Sequence, residues 1–280
     1  MAFLCNLLLV CSLSVARCAP VPLEMIDMTH PFDNSTLGWP TQKKFQIVVK
    51  ENGTQREGQW VQSEEYAGGS HVGTHLDAPC HFNRRGWCVD DVPFSRLVAP
   101  AAVVDVTRRS RDDADYLVRV RDLEGWERET GESLNGTIVL MRSGWGRKWP
   151  DKEAFTGTAG NRSSQLHFPG LSKEAAQWLV DKRNIFGLGT ETLSLDGGQS
   201  RDMSAHRTLL GKNVFGLENV ANMEDIPIYG ATLHVFPMKI GRASGAPVRI
   251  VATYPKMKYA KKEEEYGTEG TLREIIIFNK

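Results

Sequence analysis

The chain lacks an excess of charge of either sign. Lys and Arg together number 34, as do Asp and Glu, so the formal net charge is zero. That balance argues against a nucleic-acid binder and against a polybasic membrane anchor. There is no internal repeat. Beyond Ala19 no apolar run is long enough to cross a bilayer. Cysteine is scarce as well: there are five, and Cys5, Cys11 and Cys18 all lie at the extreme N-terminus. What remains is an ordinary globular composition of 280 residues with 41% apolar content, enough for a sizeable core.

The first 19 residues read as a secretory signal. Phe3 to Val15 form an apolar run too short to span a membrane, and Ala16-Arg-Cys-Ala-Pro20 offers small residues for cleavage after Cys18 or Ala19. The segment before the run has no Lys or Arg, so only the terminal amine is positive there. The alternative is a buried N-terminal helix. Export carries two further expectations. Cleavage leaves Cys80 and Cys88 as an even pair in an oxidising compartment, which predicts a disulfide, the alternative being two free buried thiols. Four Asn-x-Ser/Thr acceptors, Asn34, Asn52, Asn135 and Asn161, are candidate glycosylation sites. The mature domain is expected over 20–254. Residues 255–280 form a charged tail that begins with the run from Lys256 to Glu265.

Hydrophobic patterning predicts strands at Met25–Pro31, Phe45–Val49, Leu97–Val106, Thr137–Met141, Ile185–Thr190, Asn213–Asn219, Thr232–Ile240 and Val248–Thr253. A short helix is expected within Asp115–Thr130, with Asp122 as its cap. A clearer one covers Leu171–Arg183, where Ser172 caps a run with Ala175, Ala176, Leu179 and Val180 at helical spacing. His206–Leu210 reads as a helical turn or two. Glu51–Gln59, Phe155–Phe168 and Ser194–Ser200 read as loops.

Three of the seven histidines fall in Gly69-Ser-His-Val-Gly-Thr-His-Leu-Asp-Ala-Pro-Cys-His-Phe82. His71, His75, Asp77 and His81 all occupy odd positions, so an extended chain would project them from one side. Fully extended, His71 and His81 would stand roughly 33 Å apart. They can share a site only if the chain bends, and Gly73 and Pro79 are the places where it can. Imidazoles and a carboxylate on one face suit a divalent metal of the zinc or manganese type. The alternative is a His-rich polar strand edge or surface loop.

This stretch resembles the His-x-Gly-Thr-His-x-Asp-x-Pro-x-His-Phe signature of the metal-dependent cyclase superfamily, which includes bacterial-type kynurenine formamidases and isatin hydrolases. Every fixed position is matched. The resemblance runs from about Met25 to Thr253, with further landmarks at Trp39-Pro40, Phe168-Pro-Gly170 and Gly245-Ala-Pro-Val-Arg249. It implies a swivelling β/β/α architecture, an α/β fold with a mixed-sheet, barrel-like core and flanking helices. It assigns His71 and His75 to a first metal, Asp77 to a bridging carboxylate and His81 to the general acid/base. A second metal would take His206 and Glu218, which have the family spacing of eleven intervening residues. The implied cofactor is a pair of Zn²⁺ ions, with Mn²⁺ as the alternative metal. The implied activity is a secreted arylformamidase that converts N-formyl-L-kynurenine to L-kynurenine and formate. Trp39 would stack on the aryl ring, and the expected assembly is a homodimer. Two other readings stand beside it: hydrolysis of a cyclic amide such as isatin, and a non-catalytic secreted metal-binding protein. The presence of His81 and Glu218 counts against the latter.

Overall fold

The computed structural model describes residues 22–256. The expected signal peptide and nearly all of the charged tail lie outside them. Among the described residues the strands are β1 Leu23–Asp27, β2 Gln46–Thr54, β3 Trp60–Ala67, β4 His75–Asp77, β5 Val98–Asp105, β6 Leu117–Val118, β7 Ile138–Arg142, β8 Gly170–Leu171, β9 Gly187–Thr190, β10 Phe215–Glu218, β11 Thr232–Pro237 and β12 Gly245–Pro255. The helices are α1 Phe94–Leu97, α2 Thr107–Asp112, α3 Val120–Thr130, α4 Lys152–Thr156, α5 Lys173–Lys182 and α6 Ser204–Leu210. None of these helices is long and apolar enough to cross a membrane.

The central strands are apolar without alternation because both of their faces are covered. Ala101–Val104 of β5 and Ile138–Met141 of β7 are buried throughout. These strands run parallel with β9 and β10. The antiparallel strands β11, β12 and β4 complete the sheet in the order β12-β11-β5-β7-β9-β10-β4. β4 pairs back onto β12, which closes the sheet into a barrel, and β1 adds to β12 outside it. The inner face contributes Val103, Ile138, Leu140, Leu217, Leu233, Val235 and Ile250 to one core. The outer face of the parallel half contributes Ala102, Val104, Val139, Met141 and Leu188 to a second core. There the apolar stripes of α3, α5 and α6 pack with Leu123, Trp126, Ala176, Leu179 and Leu209. Each such side chain contributes about 1.5–3 kcal/mol when fully buried. The mixed-sheet barrel with flanking helices is the architecture expected from the sequence.

Several boundaries differ from the sequence reading. The expected loop at Glu51–Gln59 is strand in its first part, where β2 continues to Thr54, and a turn from Gln55 to Gln59 that joins β2 to β3 in a two-stranded ribbon. Both strands are exposed along most of their length, so they carry none of the alternation that marks a half-buried strand. Asp122 is not the cap of α3. Arg119 holds that position, and Asp122, inside the first turn, reaches back to accept its backbone N–H at 2.8 Å. Asp122 also accepts the Tyr116 hydroxyl at 2.6 Å and pairs with Arg109. The expected loop at Phe155–Phe168 begins inside α4, whose cap Asp151 accepts from Ala154 N. The last strand starts at Gly245 rather than Val248, because Gly245–Pro247 pair with β4.

The histidine-rich stretch is a strand only from His75 to Asp77. Gly73 turns the chain before it with a φ of +61°, and Pro79 opens a 3-10 turn, Pro79–His81, after it. His71 and His81 are brought in by those two bends rather than by strand alternation. A Cβ at Gly73 would meet the Phe32 ring at 2.6 Å as well as a left-handed backbone. Gly73→Ala is therefore expected to cost about 2 kcal/mol or more, combining left-handed strain with overpacking. Urea unfolding of metal-free protein measures that loss.

Candidate active site

Three strands and a helix deliver the site. β4 lies antiparallel to β10 with His75 opposite Glu218, and antiparallel to β12 with Asp77 opposite Gly245. α6 presents His206. Gly245 has a local reason to be glycine: a Cβ there would come within 2.5 Å of the His71 ring. The structure thus gathers His71, His75, Asp77, His81, His206 and Glu218, which are spread over nearly 150 positions of sequence, into one place.

At its centre two imidazoles face two carboxylates. His75 Nε2 lies 3.2 Å from Asp77 Oδ1 and 3.3 Å from Glu218 Oε2. His206 Nε2 lies 3.2 Å from Asp77 Oδ2 and 3.0 Å from Glu218 Oε1. Each carboxylate shows one oxygen to each ring, and all four side chains are buried. The far ring nitrogens have separate partners: His75 Nδ1 bonds Gly73 O at 2.9 Å, and His206 Nδ1 bonds Asp196 Oδ2 at 2.6 Å. Because both partners only accept, each Nδ1 carries the hydrogen, and a neutral ring presents a lone pair at Nε2. His75 Nε2 makes no hydrogen bond despite complete burial. With both rings neutral, lone pairs and carboxylate oxygens converge on one dry point, and this donor set fits a divalent ion of the zinc or manganese type.

His71 joins from the side. Its Nδ1 is 2.6 Å from Asp77 Oδ1, and its Nε2 is 3.0 Å from Ser244 Oγ. His81 stacks on His71 with ring centroids 4.1 Å apart, leaving its outer edge exposed. Donor atoms of His71, Asp77 and His81 lie within 4.8 Å of one another, as do those of His75, Asp77 and Glu218.

The protonation states follow from these contacts. Burial would lower the pKa of His75, but the facing Asp77 and Glu218 carboxylates outweigh it and raise the value to about 10. Burial also opposes the charge on His206, and Asp196, Asp77 and Glu218 together lift it well above the ordinary range. Asp77 goes the other way: burial pushes it up, and His71, His206 and His75 hold it well below the usual carboxylate value. Glu218 is pushed up by burial and by Asp77, yet His206 and His75 bring it down on balance. His81 feels Asp77 and Glu218 only at a distance, and their pull does not offset its burial. Desolvation lowers its pKa, so it is neutral at pH 7 and ready to accept a proton.

Trp39 sits beside the histidine-rich segment, because Gly38 bridges to Val72, and it packs on the cluster formed by Trp145, Phe155, Leu166, Phe168 and Leu193. Cys80 and Cys88 form the expected disulfide, with Cα atoms 5.0 Å apart. Cys80 shares the 3-10 turn with His81 and donates its backbone N–H to Trp87 O at 2.9 Å. Asn34, Asn52, Asn135 and Asn161 are all exposed. Sequence reasoning missed Asp196 and Ser244, each bonded to a site imidazole. It also missed Asn219, which donates from Nδ2 to Gly73 O at 2.7 Å and so grips the carbonyl that holds His75. Asp196 lies in a Gly-rich segment that reads as a turn, and nothing in its spacing points to His206.

Metal binding is expected to release protons. In metal-free protein the raised pKa values keep His75 and His206 charged at pH 7, and a ligating ring must be neutral. Titration calorimetry of Zn²⁺ in buffers of different ionisation enthalpy should report release of about two protons per chain at pH 7, with apparent affinity rising as the pH is raised. Release of none would mean that these rings are already neutral in the metal-free protein.

Residues 26–197 match the Cyclase family, described as "Putative cyclase", a match that takes in His71 to His81 and ends before His206. An isatin hydrolase of Roseibium aggregatum is 35% identical over 196 residues, covering 67% of this chain and 73% of its own length. A kynurenine formamidase of Bacillus cytotoxicus is 28% identical over 228 residues, covering 81% of this chain and 96% of its own. Among solved structures, isatin hydrolase A from Ralstonia solanacearum superposes with a TM-score of 0.77 at 31% identity, covering 83% of this chain and 92% of that one. With a barrel of this topology and a matching histidine signature, the chain belongs to the cyclase family, whose isatin hydrolase and kynurenine formamidase members are hydrolases.

Proposed function

We propose that this protein is a metal-dependent amidohydrolase that converts N-formyl-L-kynurenine to L-kynurenine and formate. The observation that carries the reading is the buried quartet of His75, Asp77, His206 and Glu218 with a neutral His81 on its rim. His71, His75 and Asp77 would hold one Zn²⁺ or Mn²⁺ ion, and Asp77, His206 and Glu218 a second. A divalent ion supplies Lewis acidity, polarising a carbonyl and bringing the pKa of water from 15.7 toward about 7.

The chain's own residues do the rest. His81 lies within reach of the cage without being tied to a carboxylate, so it can take a proton from water and return it to the leaving nitrogen. In the metal-free protein the facing histidines hold the pKa values of Asp77 and Glu218 down, so both carboxylates are ionised and able to ligate. Trp39, backed by the aromatic cluster, would stack on an aryl leaving group. A second reading, opening of the cyclic amide of isatin, is favoured by the 35% identity to an isatin hydrolase. It uses the same residues and differs only in the ring that the pocket accepts. We further propose that the protein is secreted and works as a homodimer. The disulfide and the four exposed sequons support export.

A panel of N-formylkynurenine, formylanilide, isatin and simple esters on zinc- or manganese-loaded protein separates the readings. Chelation should abolish hydrolysis and either metal should restore it; full activity in metal-free protein would end the proposal. His81→Ala is expected to keep its metal while turnover falls about a hundred- to ten-thousand-fold. Asp77→Asn should lose metal, seen by elemental analysis. If His81→Ala also lost metal, its role would be ligation.

The disulfide gives a separate test. Closing so short a loop contributes about 2.5 kcal/mol in the chain-entropy model. The Cys80→Ser/Cys88→Ser protein should lose that much in urea unfolding. Its turnover should fall further than its stability, because the bridge fixes the turn that aims His81. Equal kcat in the two proteins would show that the bridge does not aim the ring.

A further inference from the structure

Asp196 belongs to none of the signature segments, yet it is 2% exposed and fully engaged. Its Oδ2 accepts His206 Nδ1 at 2.6 Å and the His206 backbone N–H at 3.1 Å. Its Oδ1 accepts the Ala205 backbone N–H at 2.8 Å and the Ser200 hydroxyl at 3.4 Å. One carboxylate therefore sets both where α6 begins and how the ring of its third residue is turned. The same residue forms part of the wall of a cavity of about 330 Å³, lined also by Ser172, Lys173, Gln199, Asp202 and Ser204. A water molecule occupies about 30 Å³, so the cavity has room for a molecule the size of acetate, and Lys173 is the cation on a wall that also carries Asp115 and Glu174.

We propose that Asp196 is a positioning residue for His206, and that the cavity makes this contact reachable by a small carboxylate from solvent. The inference rests on His206 being a metal ligand and is independent of the substrate. A carboxylate offers no hydrogen, so His206 must carry its own on Nδ1 and turn the Nε2 lone pair toward Asp77 and Glu218. His75 achieves the same with the Gly73 carbonyl, which no side-chain change removes. His206 depends on a side chain. Without it the ring can rotate or take the other tautomer, and Nε2 then points a hydrogen at the site.

The test is Zn²⁺ affinity, measured by competition with a chromophoric chelator, for wild type, Asp196→Ala and His206→Ala. Asp196→Ala is expected to bind zinc 10- to 100-fold more weakly. Acetate, which fits the space vacated beside the cavity, should recover part of that loss in Asp196→Ala and leave wild type and His206→Ala unchanged. Wild-type affinity in Asp196→Ala overturns the proposal. So does a folded Asp196→Ala whose weakened binding does not respond to acetate, since that is the behaviour of a merely structural residue. If circular dichroism shows Asp196→Ala unfolded, the isosteric Asp196→Asn decides instead: about tenfold weaker binding supports the role and unchanged binding rejects it. Absence of zinc binding in wild type would defeat the metal-site reading itself, and the wild-type arm reports that separately.

Discussion

The structure depends on two carboxylates and two imidazoles held face to face out of water. Desolvating an ionised group costs several kcal/mol, and Asp77, Glu218, His75 and His206 are all buried. They are tolerable together because each carboxylate divides its oxygens between the two rings. The cost falls on any arrangement that separates them. This explains why so much of the surrounding structure works on orientation: a backbone carbonyl behind His75, a carboxylate behind His206, a hydroxyl on His71 and a backbone N–H from Leu195 on Glu218 at 3.0 Å.

The barrel supplies the rigidity that this balance needs. β4 has only three residues, but it is paired on both sides and wholly buried, so His75 and Asp77 sit on the least mobile kind of element. The residue proposed to move protons lies beyond its end instead. His81 is on a short turn pinned by a disulfide, with one ring edge in solvent. The contrast between a clamped cage and an accessible rim also divides the residues by charge: the cage histidines are drawn toward the charged form and His81 away from it.

Much of the site was legible because the signature is contiguous. Four of its residues fall within eleven positions, and their side-chain types leave few other chemistries. The bends at Gly73 and Pro79 were legible too, since only those two residues could supply them. Asp196 and Ser244 were not, because they reach the imidazoles through topology rather than spacing: Ser244 is 173 positions from His71. The strands β5 and β7 were read from their unbroken apolar runs. The first half of β2 was read from its β-branched run, but its end and the whole of β3 were missed, because those stretches are polar and largely exposed. Asp122 was misplaced by three positions because an acid in the first turn and an acid at the cap look alike in sequence, and only the backbone tells which residue reaches back to which.

The register of β4 has a consequence for how the chain acquires its site in time. His75 and Asp77 emerge early in synthesis, but their strand partners lie at Phe215–Glu218 and Gly245–Pro247. Until that last strand is available the barrel is an open sheet, and the histidine-bearing segment has at most one of its two neighbours. Contacts this distant in sequence are slow to form, because the loop must close before any pairing rewards it. Binding competence therefore arrives with the closing of the barrel and not before. A nascent or truncated chain that ends short of Gly245 carries the whole histidine signature and still has no finished cage to hold an ion.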